Sequence, residues 1–431
     1  MSDEDVERDA EPDVEQIVEG GAQPGEEEAL EASLKSPARL TAYLRRGGVV
    51  VPLLTTVIAF LAAGVVVLLT GHNPLSTYSA IFKGTGLNWL FPWVGGSERT
   101  TAALELQQTL IQTTALILVG LAVAFAFRAG LFNIGGQGQY TMGAIVAVWV
   151  GSSFSGLPAV LHIILAIVLA ALAGAAWAGI AGILKAVAGV HEVISTIMLN
   201  WIAIWGGVYL FQLNGPLQDP GQPSVPVSKT IAASAKLPVF WGSAQLQGLD
   251  IGIFIALAAV VVFAIIINRT RLGYEIRAVG FNPDAASYAG MNVGRNYVRV
   301  MLICGAFAGV AAATDILGWK FSLFTNDIQL SQIGFLGIAV ALLGRNTAGG
   351  TVAAALLFGA LLTGTSQRNL DSTVFDPNLA QYLTYMIQGL IVLLVSTDVI
   401  ALRVLRGGRG IAVGLRRQPP SPAAGTEERM T

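Results

Sequence analysis

Residues 250–299 read DIGIFIALAAVVVFAIIINRTRLGYEIRAVGFNPDAASYAGMNVGRNYVR. The first part, residues 250–268, is apolar for about 20 residues, the length that a helix needs to cross the hydrocarbon core of a bilayer. The second part, residues 269–299, is the densest patch of charge between the first and the last long apolar runs of the chain. This order indicates a membrane helix that ends in a polar loop at one face of the membrane.

The whole chain has the composition of an integral membrane protein. Hydrophobic residues make up 54% of it and charged residues 12%, with a mean hydropathy of +0.64, whereas a soluble domain is about 45–50% apolar and about 25% charged. The single cysteine, Cys304, has no partner for a disulfide within the chain. Three histidines and one cysteine argue against a structural zinc site. We therefore expect no metal and no cofactor.

Apolar runs of membrane-crossing length recur along the chain. We count ten, at residues 49–70, 107–127, 131–150, 159–184, 193–213, 250–268, 297–317, 330–343, 350–366 and 380–401. The expected fold class is all-α: a polytopic membrane helical bundle of about ten transmembrane helices, which fills residues 49–401.

The distribution of lysine and arginine orients these spans. Ten spans with the N-terminus in the cytoplasm place seventeen basic residues on the cytoplasmic side and six on the other, leaving out Arg8 and Arg429 far out in the tails. An excess of basic residues in the cytoplasmic loops is the pattern that sets orientation in bilayers. We expect a multi-pass membrane protein with both termini in the cytoplasm.

The two ends of the chain differ from the apolar part. Thirteen of the 27 acidic residues lie between Asp3 and Glu31, so residues 1–34 are expected to form a disordered acidic cytoplasmic tail. A basic juxtamembrane segment follows at residues 35–48, and residues 402–431 are expected to form a basic, disordered cytoplasmic tail.

A polar, glycine-rich stretch interrupts the apolar pattern between the second and third spans. Residues 127–144 read FRAGLFNIGGQGQYTMGA and include Asn133, Gln137 and Gln139. Irregular polar backbone at membrane depth is tolerated only where protein or a water-filled cavity surrounds it, so we expect a broken or re-entrant segment near residues 131–143 that faces the bundle interior. Two interpretations stay open. The amides line a path for a polar solute, or they bridge helices that glycines allow to pack closely.

The later spans carry a few more polar residues. Ser195, Thr196 and Asn200 fall on or near one face of the fifth span, at helical spacing, and they join the candidate residues of the translocation path. Ionisable residues within spans are functional candidates by default. Asp315, however, is interpreted here as a solvated group near the outer end of its span.

The charged loop contains the signals of a short helix. Asn282 can cap the helix, Pro283 suits its first position, Asp284 favours the positive end of its dipole, and Gly290 can end it in a left-handed turn. A helix this short is not stable alone in water, so we expect it to pack against this chain's own spans or another subunit. Basic residues before it, such as Arg277, suit lipid headgroups or an acidic partner surface.

The chain lacks the motifs of an ATPase and of common membrane enzymes. It contains no G-x-x-x-x-G-K-[ST] phosphate loop, no cluster of intramembrane acids or histidines for a proton relay, and no paired aspartates for metal-assisted transfer. We therefore expect a conduit that needs a separate source of energy, with no catalytic residues and no nucleic-acid partner. The alternatives are a stand-alone secondary transporter of small polar solutes and a membrane enzyme that acts on lipid-linked substrates.

Four motifs resemble those of a known family. They are FNIGGQGQ at residues 132–139, HEVISTIMLN at 191–200, RAVGFNPDAASYAG at 277–290 and GIAVALLGRN at 337–346. They resemble signatures of the permease subunits of bacterial ABC importers for branched-chain amino acids, simple sugars and nucleosides. The motif at 191–200 is similar to the larger permease subunit of the nucleoside and simple-sugar branch. One departure is Gln137, which stands where the family usually has glutamate.

The resemblance implies a permease subunit of an ATP-driven importer for a nucleoside or simple sugar, which works by alternating access in the bacterial cytoplasmic membrane. The implied partners are ATP-binding subunits at the cytoplasmic face, a second permease subunit, an extracytoplasmic substrate-binding protein and membrane lipid. Residues 269–296 become the cytoplasmic coupling loop. The residues implied for ATPase coupling are Arg277, Asn282, Pro283, Asp284, Ala285, Ala286, Tyr288, Ala289 and Gly290. The candidate residues of the translocation path are Asn133, Gln137, Gln139, Ser195, Thr196 and Asn200.

Overall fold

The computed structural model of the protein describes residues 50–154, 156–243, 248–366 and 376–396. The chain divides into two units, Met1–Leu53 and Leu54–Thr431. Of the first unit only residues 50–53 are described, and they are helical. The predicted acidic tail at 1–34, the basic segment at 35–48 and the C-terminal tail at 402–431 lie outside the described residues.

The described part of the chain is predominantly helical. The α-helices are α1 (Val50–Leu69), α2 (Pro74–Gly84), α3 (Gly96–Arg128), α4 (Gly136–Ser153), α5 (Ala159–Ala188), α6 (Glu192–Phe211), α7 (Gly252–Arg269), α8 (Arg271–Phe281), α9 (Pro283–Tyr288), α10 (Val293–Asp315), α11 (Thr325–Leu330), α12 (Ile333–Leu343), α13 (Ala348–Gly364) and α14 (Pro377–Ser396). Short 3₁₀-helices lie at Leu87–Leu90 and Ala233–Ala235, and a π-helix at Ile316–Lys320 continues α10. Two strands, β1 (Val239–Trp241) and β2 (Leu249–Asp250), pair antiparallel.

Each of the ten predicted spans overlaps a helix, and these helices in chain order are α1, α3, α4, α5, α6, α7, α10, α12, α13 and α14. Residues 397–401 of the last predicted span lie outside the described residues. Within the described ranges, seven helices are long and apolar enough to cross a membrane, and two shorter apolar helices lie at Ala348–Gly364 and Tyr382–Val395. The expectation of an all-α polytopic membrane bundle is confirmed.

Helix α3 differs most from its predicted boundaries, because it begins at Gly96 rather than at residue 107. Its first turns carry charged residues such as Glu98, so an apolar window leaves them out. They nevertheless pack against protein, since Ala102 and Leu106 are buried. Further along, 83% of the most apolar window of α3 is buried against protein. This helix therefore runs through the interior of the bundle.

Helices α5 and α10 pack at backbone distance through small residues. A Cβ atom at Gly305 would lie 2.1 Å from the carbonyl oxygen of Gly174, and one at Gly309 would lie 2.2 Å from the carbonyl oxygen of Ala170. No side chain larger than hydrogen fits at these distances. Small residues at helix interfaces let membrane helices approach this closely. The contact holds α10 firmly, and with it the polar residues at its C-terminal end.

The loop that joins α6 to β1 holds the π-helix and the segment after it. The backbone N–H of Leu237 donates to the carbonyl oxygen of Leu317 at 2.8 Å, and the N–H of Ile231 donates to that of Phe321 at 2.9 Å. Phe321 itself has a positive φ of 58°. These bonds satisfy backbone groups that the irregular end of α10 would otherwise leave open.

Candidate functional site

The chain breaks between α3 and α4, at the predicted glycine-rich stretch. Residues 131–134 are not helical, and Gly130 has a φ of 69°, a conformation that favours glycine. The break is narrower than the predicted 131–143, because regular helix resumes at Gly136. The glycines of α4 serve close packing instead: a Cβ at Gly143 would lie 2.7 Å from the Cα of Gly309.

Asn133 and Gln139 brace the break. Both are 1% exposed. The Asn133 Oδ1 atom accepts from the N–H of Gly135 at 2.9 Å and from Gln139 Nε2 at 3.0 Å, and Asn133 Nδ2 donates to Gln139 Oε1 at 3.3 Å. This ring of hydrogen bonds ties the non-helical residues to the first turn of α4.

Gln137 joins α4 to the start of α12. Its side chain is fully buried, and its Oε1 atom accepts from the N–H of Gly334 at 2.9 Å. The two backbones touch, because a Cβ at Gly334 would lie 2.1 Å from the nitrogen of Gln137. The Nε2 atom of Gln137 is buried without a hydrogen-bond partner among the described residues. An unpaired buried donor of this kind costs about 1–3 kcal/mol.

Asn200 joins α6 to the same region. Its Oδ1 atom accepts from the N–H of Gly138 at 2.7 Å, and its Nδ2 atom donates to the carbonyl oxygen of Ile134 at 2.9 Å. Ser195 and Thr196 lie one turn earlier on α6, but their hydroxyls donate to the carbonyl oxygen of Glu192 in their own helix, at 3.1 and 2.7 Å. Those two residues therefore make no side-chain hydrogen bond to the break.

Four of the six predicted path residues, Asn133, Gln137, Gln139 and Asn200, are thus buried amides at the break, and we call them the amide network. Asn133 and Gln139 bond to each other, whereas Gln137 and Asn200 each bond to backbone groups nearby. Each of them is at most 3% exposed. The geometry is that of helix bridging, which was one of the two interpretations drawn from the residues. In this conformation the network is closed to solvent, so any solute that passes here must replace its hydrogen bonds.

A second polar cluster lies nearby, and the sequence interpretation missed it. Asp315 is 4% exposed, so the expectation of a solvated residue is wrong. Its Oδ2 atom accepts from the hydroxyl of Tyr140 and from Lys320 Nζ, the latter at 3.3 Å, while its Oδ1 atom accepts from Trp319 Nε1 at 3.3 Å. Lys320 Nζ also donates to the Tyr140 hydroxyl at 3.1 Å. The available signal was an acid and a lysine five residues apart within an apolar run.

Asp250, in β2, is a further buried carboxylate beside this cluster. It is 5% exposed, and its Oδ1 atom accepts from the N–H of Gly252 at 2.6 Å. A Cβ at Gly318, in the π-helix, would lie 2.4 Å from Asp250 Oδ2, so that position needs glycine. Burial raises the pKa of Asp250 to about 6, and the charge of Asp315 contributes in the same direction.

The charged loop forms the predicted short helix. In α9, Asn282 Oδ1 accepts from the N–H of Ala285 at 3.0 Å, Pro283 takes the first helical position and Asp284 lies in the first turn. Gly290 follows with a φ of 81°, which ends the helix as expected. The helix itself ends at Tyr288.

Helix α9 makes little contact with its own chain. Of residues 282–290, only Ala286 is buried. Two aromatic side chains flank the helix: Phe281 is 92% exposed and Tyr288 is 94% exposed. Aromatic residues, Tyr and Phe among them, are enriched in protein interfaces. Phe281 was absent from the predicted set of coupling residues. Arg277 donates from Nε to the carbonyl oxygen of Gly273, within α8.

Helix α8 touches the break through two glycines. A Cβ at Gly280 would lie 2.4 Å from the carbonyl oxygen of Arg128, and one at Gly130 would lie 3.1 Å from the carbonyl oxygen of Gly280. Arg128 Nε in turn donates to the carbonyl oxygen of Asn346 at 3.0 Å. The backbone next to α9 therefore rests directly on the segment that leads to Asn133.

Comparison with known proteins gives one family and three relatives. Residues 106–396 match the family described as branched-chain amino acid transport system / permease component. A guanosine ABC transporter permease protein of Bacillus subtilis is 42% identical over 330 residues, which cover 77% of this chain and 89% of that protein. A nucleoside ABC transporter permease protein of Lactococcus lactis is 37% identical over 322 residues, covering 73% and 83%. A glucose ABC transporter permease protein of Haloferax volcanii is 33% identical over 376 residues, covering 86% and 92%. No solved structure matches the chain.

Proposed function

Because this chain belongs to the family of branched-chain amino acid transport system permease components, we propose that it carries a nucleoside, or else a simple sugar, across the plasma membrane. As a permease subunit of an ABC importer it is a multi-pass membrane protein, and the ATPase activity resides in separate subunits. Permeases of this kind act with ATP-binding subunits and with a substrate-binding protein.

The similarity to the guanosine permease carries the choice of solute. That protein is 42% identical and the nucleoside permease is 37% identical, against 33% for the glucose permease. The neutral amide network agrees with an uncharged, hydrogen-bonding solute, because amides both donate and accept. We therefore rank a nucleoside ahead of a sugar.

In our proposal, the path of the solute runs along α4 past Asn133, Gln137, Gln139 and Asn200. It also passes Ser195 and Thr196, which lie one turn before Asn200 on α6. The network is closed in the present conformation. In alternating access it opens when α4 moves relative to α6 and α12. The solute's own polar groups then replace the broken side-chain hydrogen bonds.

Coupling to ATP hydrolysis, in our proposal, begins at α9. Phe281 and Tyr288 insert into a groove of an ATP-binding subunit at the cytoplasmic face. A displacement of α8 reaches the break through the contact of Gly280 with Arg128 and Gly130, because two backbones in contact move together. This backbone contact is the observation that favours coupling through the break.

A second permease subunit and cytoplasmic termini complete the proposal. Basic residues concentrate in and near the loop that contains α8 and α9. This supports a cytoplasmic position for the loop and for the membrane face on which it lies. The complex would then contain this chain, a second permease, ATP-binding subunits inside and a binding protein outside. Co-purification of all four kinds of subunit on a tag attached to any one of them tests this composition directly.

Uptake by the reconstituted complex tests the proposed function. Proteoliposomes with ATP and the ATP-binding subunits inside, and the binding protein outside, should accumulate radiolabelled guanosine faster than glucose or leucine. Gly280→Ala should abolish this uptake while the ATP-binding subunits still bind. Gly206→Ala is the matched control, because a Cβ there meets nothing within 4 Å. Accumulation without ATP, driven by an ion gradient, would instead identify a secondary transporter.

A further inference from the structure

Stability of the bundle alone does not account for the charged cluster around Asp315. A buried ion pair stabilises a fold weakly or not at all compared with apolar residues of the same volume. Ionisable residues within membrane spans mark solute routes more often than structure. Asp315 and Lys320 form such a pair, with side chains 6% and 17% exposed. Their presence calls for a functional reason.

The backbone is irregular at this place in a way that assembles the cluster. In an α-helix, residues five apart point in directions that differ by roughly 140°. The π-helix Ile316–Lys320 has the wider i→i+5 turn, which brings Lys320 back over Asp315. Trp319 reaches the same carboxylate from four residues away. Single π turns within α-helices occur frequently at functional sites.

The chemistry of the cluster matches a sugar with neighbouring hydroxyl groups. A carboxylate accepts up to four hydrogen bonds, and Asp315 here takes three from protein donors. Two adjacent hydroxyls of a ribose can donate to the same carboxylate, while the hydroxyl of Tyr140 and the ammonium of Lys320 donate to hydroxyl oxygens. The ammonium lies 5.2 Å from the Trp319 ring centroid and 5.6 Å from that of Tyr140. Trp319 is partly exposed, so its indole ring can pack against a flat ligand.

The cluster is also the point where the polar interior reaches a surface. Tyr140 follows Gln139 directly on α4 and lies one turn from Gln137, so it continues the amide network. The amides are at most 3% exposed, whereas Trp319 and Lys320 are both partly exposed. A solute that enters from the side of Lys320 meets this cluster before it meets the amides.

We propose that Tyr140, Asp315 and Lys320 form a binding site for the vicinal hydroxyl groups of the transported solute, with Trp319 against its ring. This inference rests on the proposed nucleoside transport. The solute exchanges its hydroxyls for the protein's own donors on Asp315 and is then passed along α4 to the amides.

The test compares two solutes that differ only in the hydroxyls. Uptake of guanosine and of 2′,3′-dideoxyguanosine is measured in proteoliposomes that contain the whole complex, for the wild type, Tyr140→Phe and Asp315→Asn. The binding protein is the same in every sample, so its own selectivity cancels in the ratio of variant to wild type. Tyr78→Phe is the matched control, because it removes a tyrosine hydroxyl that donates to the carbonyl oxygen of Phe60 outside the cluster.

We expect Tyr140→Phe to lower guanosine uptake by about tenfold, the effect of losing one hydrogen bond to a polar or charged group. Dideoxyguanosine uptake should change by less than about twofold, and the control should affect neither solute. An equal loss for both solutes, or no loss for either, overturns the site while nucleoside transport stands. If the wild type carries neither solute, the proposed function fails first. The melting temperature of each complex identifies a variant that misfolds. If Tyr140→Phe misfolds, the uptake ratio of Asp315→Asn, which keeps the shape of the side chain, decides between these outcomes.

Discussion

Removal of the cap at Asn282 should weaken coupling by a predictable factor. The side chain of Asn282 accepts one N–H of α9, at Ala285, and the helix has only six residues. Replacement of an asparagine cap by alanine costs about 1 kcal/mol. Because α9 gains little packing from its own chain, that cost falls on the fraction of α9 that is folded before the ATPase binds. A cost of about 1 kcal/mol corresponds to roughly a fivefold weaker association.

A titration in lipid nanodiscs measures this effect. The apparent Kd of the ATP-binding subunits for the permease is determined for the wild type, Asn282→Ala and Asn282→Asp, the last of which keeps an acceptor for the cap. Asn292→Ala is the matched control. It removes the same kind of bond, which the N–H of Arg295 donates to Asn292 Oδ1 at 2.8 Å, at the start of the 23-residue helix α10.

The expected order of affinity is wild type, Asn282→Asp and Asn292→Ala close together, with Asn282→Ala about fivefold weaker. If Asn292→Ala weakens the association as much as Asn282→Ala does, the loop acts as a whole and α9 has no special part in binding. If Asn282→Ala binds like the wild type, α9 is not the segment that the ATPase recognises.

Three further predictions concern stability and pH. Gly305→Ala should prevent assembly of the bundle or cost about 1–3 kcal/mol or more, since its Cβ would lie 2.1 Å from a carbonyl oxygen of α5, while Gly206→Ala, with open space around it, should be neutral in a melting experiment. Gln137→Leu leaves the buried N–H of Gly334 unpaired but also removes the unpaired Nε2 atom, two opposing effects of about 1–3 kcal/mol each, so the melting temperature should stay close to that of the wild type, and a clear fall would contradict the reasoning. The pKa of Asp250 is raised from 3.8 to about 6, so the native state binds this proton more tightly than the unfolded state. The stability of the wild type should therefore fall as pH rises from 4 through 6, by about 3 kcal/mol at most. Asp250→Asn should remove that fall, and identical pH profiles of wild type and variant would contradict the reasoning.

The spans could be predicted because a membrane helix is recognisable in a sequence by its length and apolarity. Every one of the ten predicted runs overlaps a helix. The first turns of α3 could not be predicted in this way, because Glu98 and its neighbours are polar and their packing depends on tertiary contacts. The cap at Asn282 was predictable since capping is a local interaction between residues three apart.

The burial of the amide network could be predicted from the sequence, whereas its hydrogen-bond partners could not. A polar stretch within an apolar run indicates a buried segment, and Asn133, Gln137 and Gln139 are indeed buried. Which partners they contact depends on helices far away in the chain, such as Gly334 on α12. The Asp315 cluster was misread for the same reason. A count along the chain places Asp315 near the end of a span, but the π-helix and the contact with Tyr140 enclose it.

The proposed path along α4 favours a solute that is rich in hydroxyl groups or amides. Three consecutive parts of it are hydrogen-bonded to three different helices: Gln137 to α12, Gly138 to Asn200 on α6, and Tyr140 to Asp315 on α10. A movement of α4 that begins at the break must therefore separate at least one of these pairs, and each separated buried group costs about 1–3 kcal/mol if nothing replaces its partner. A polar solute in the gap supplies the replacement, whereas an apolar solute of equal size leaves the groups unpaired. On the proposed path, selection against apolar solutes thus follows from the hydrogen bonds that α4 makes in the closed conformation.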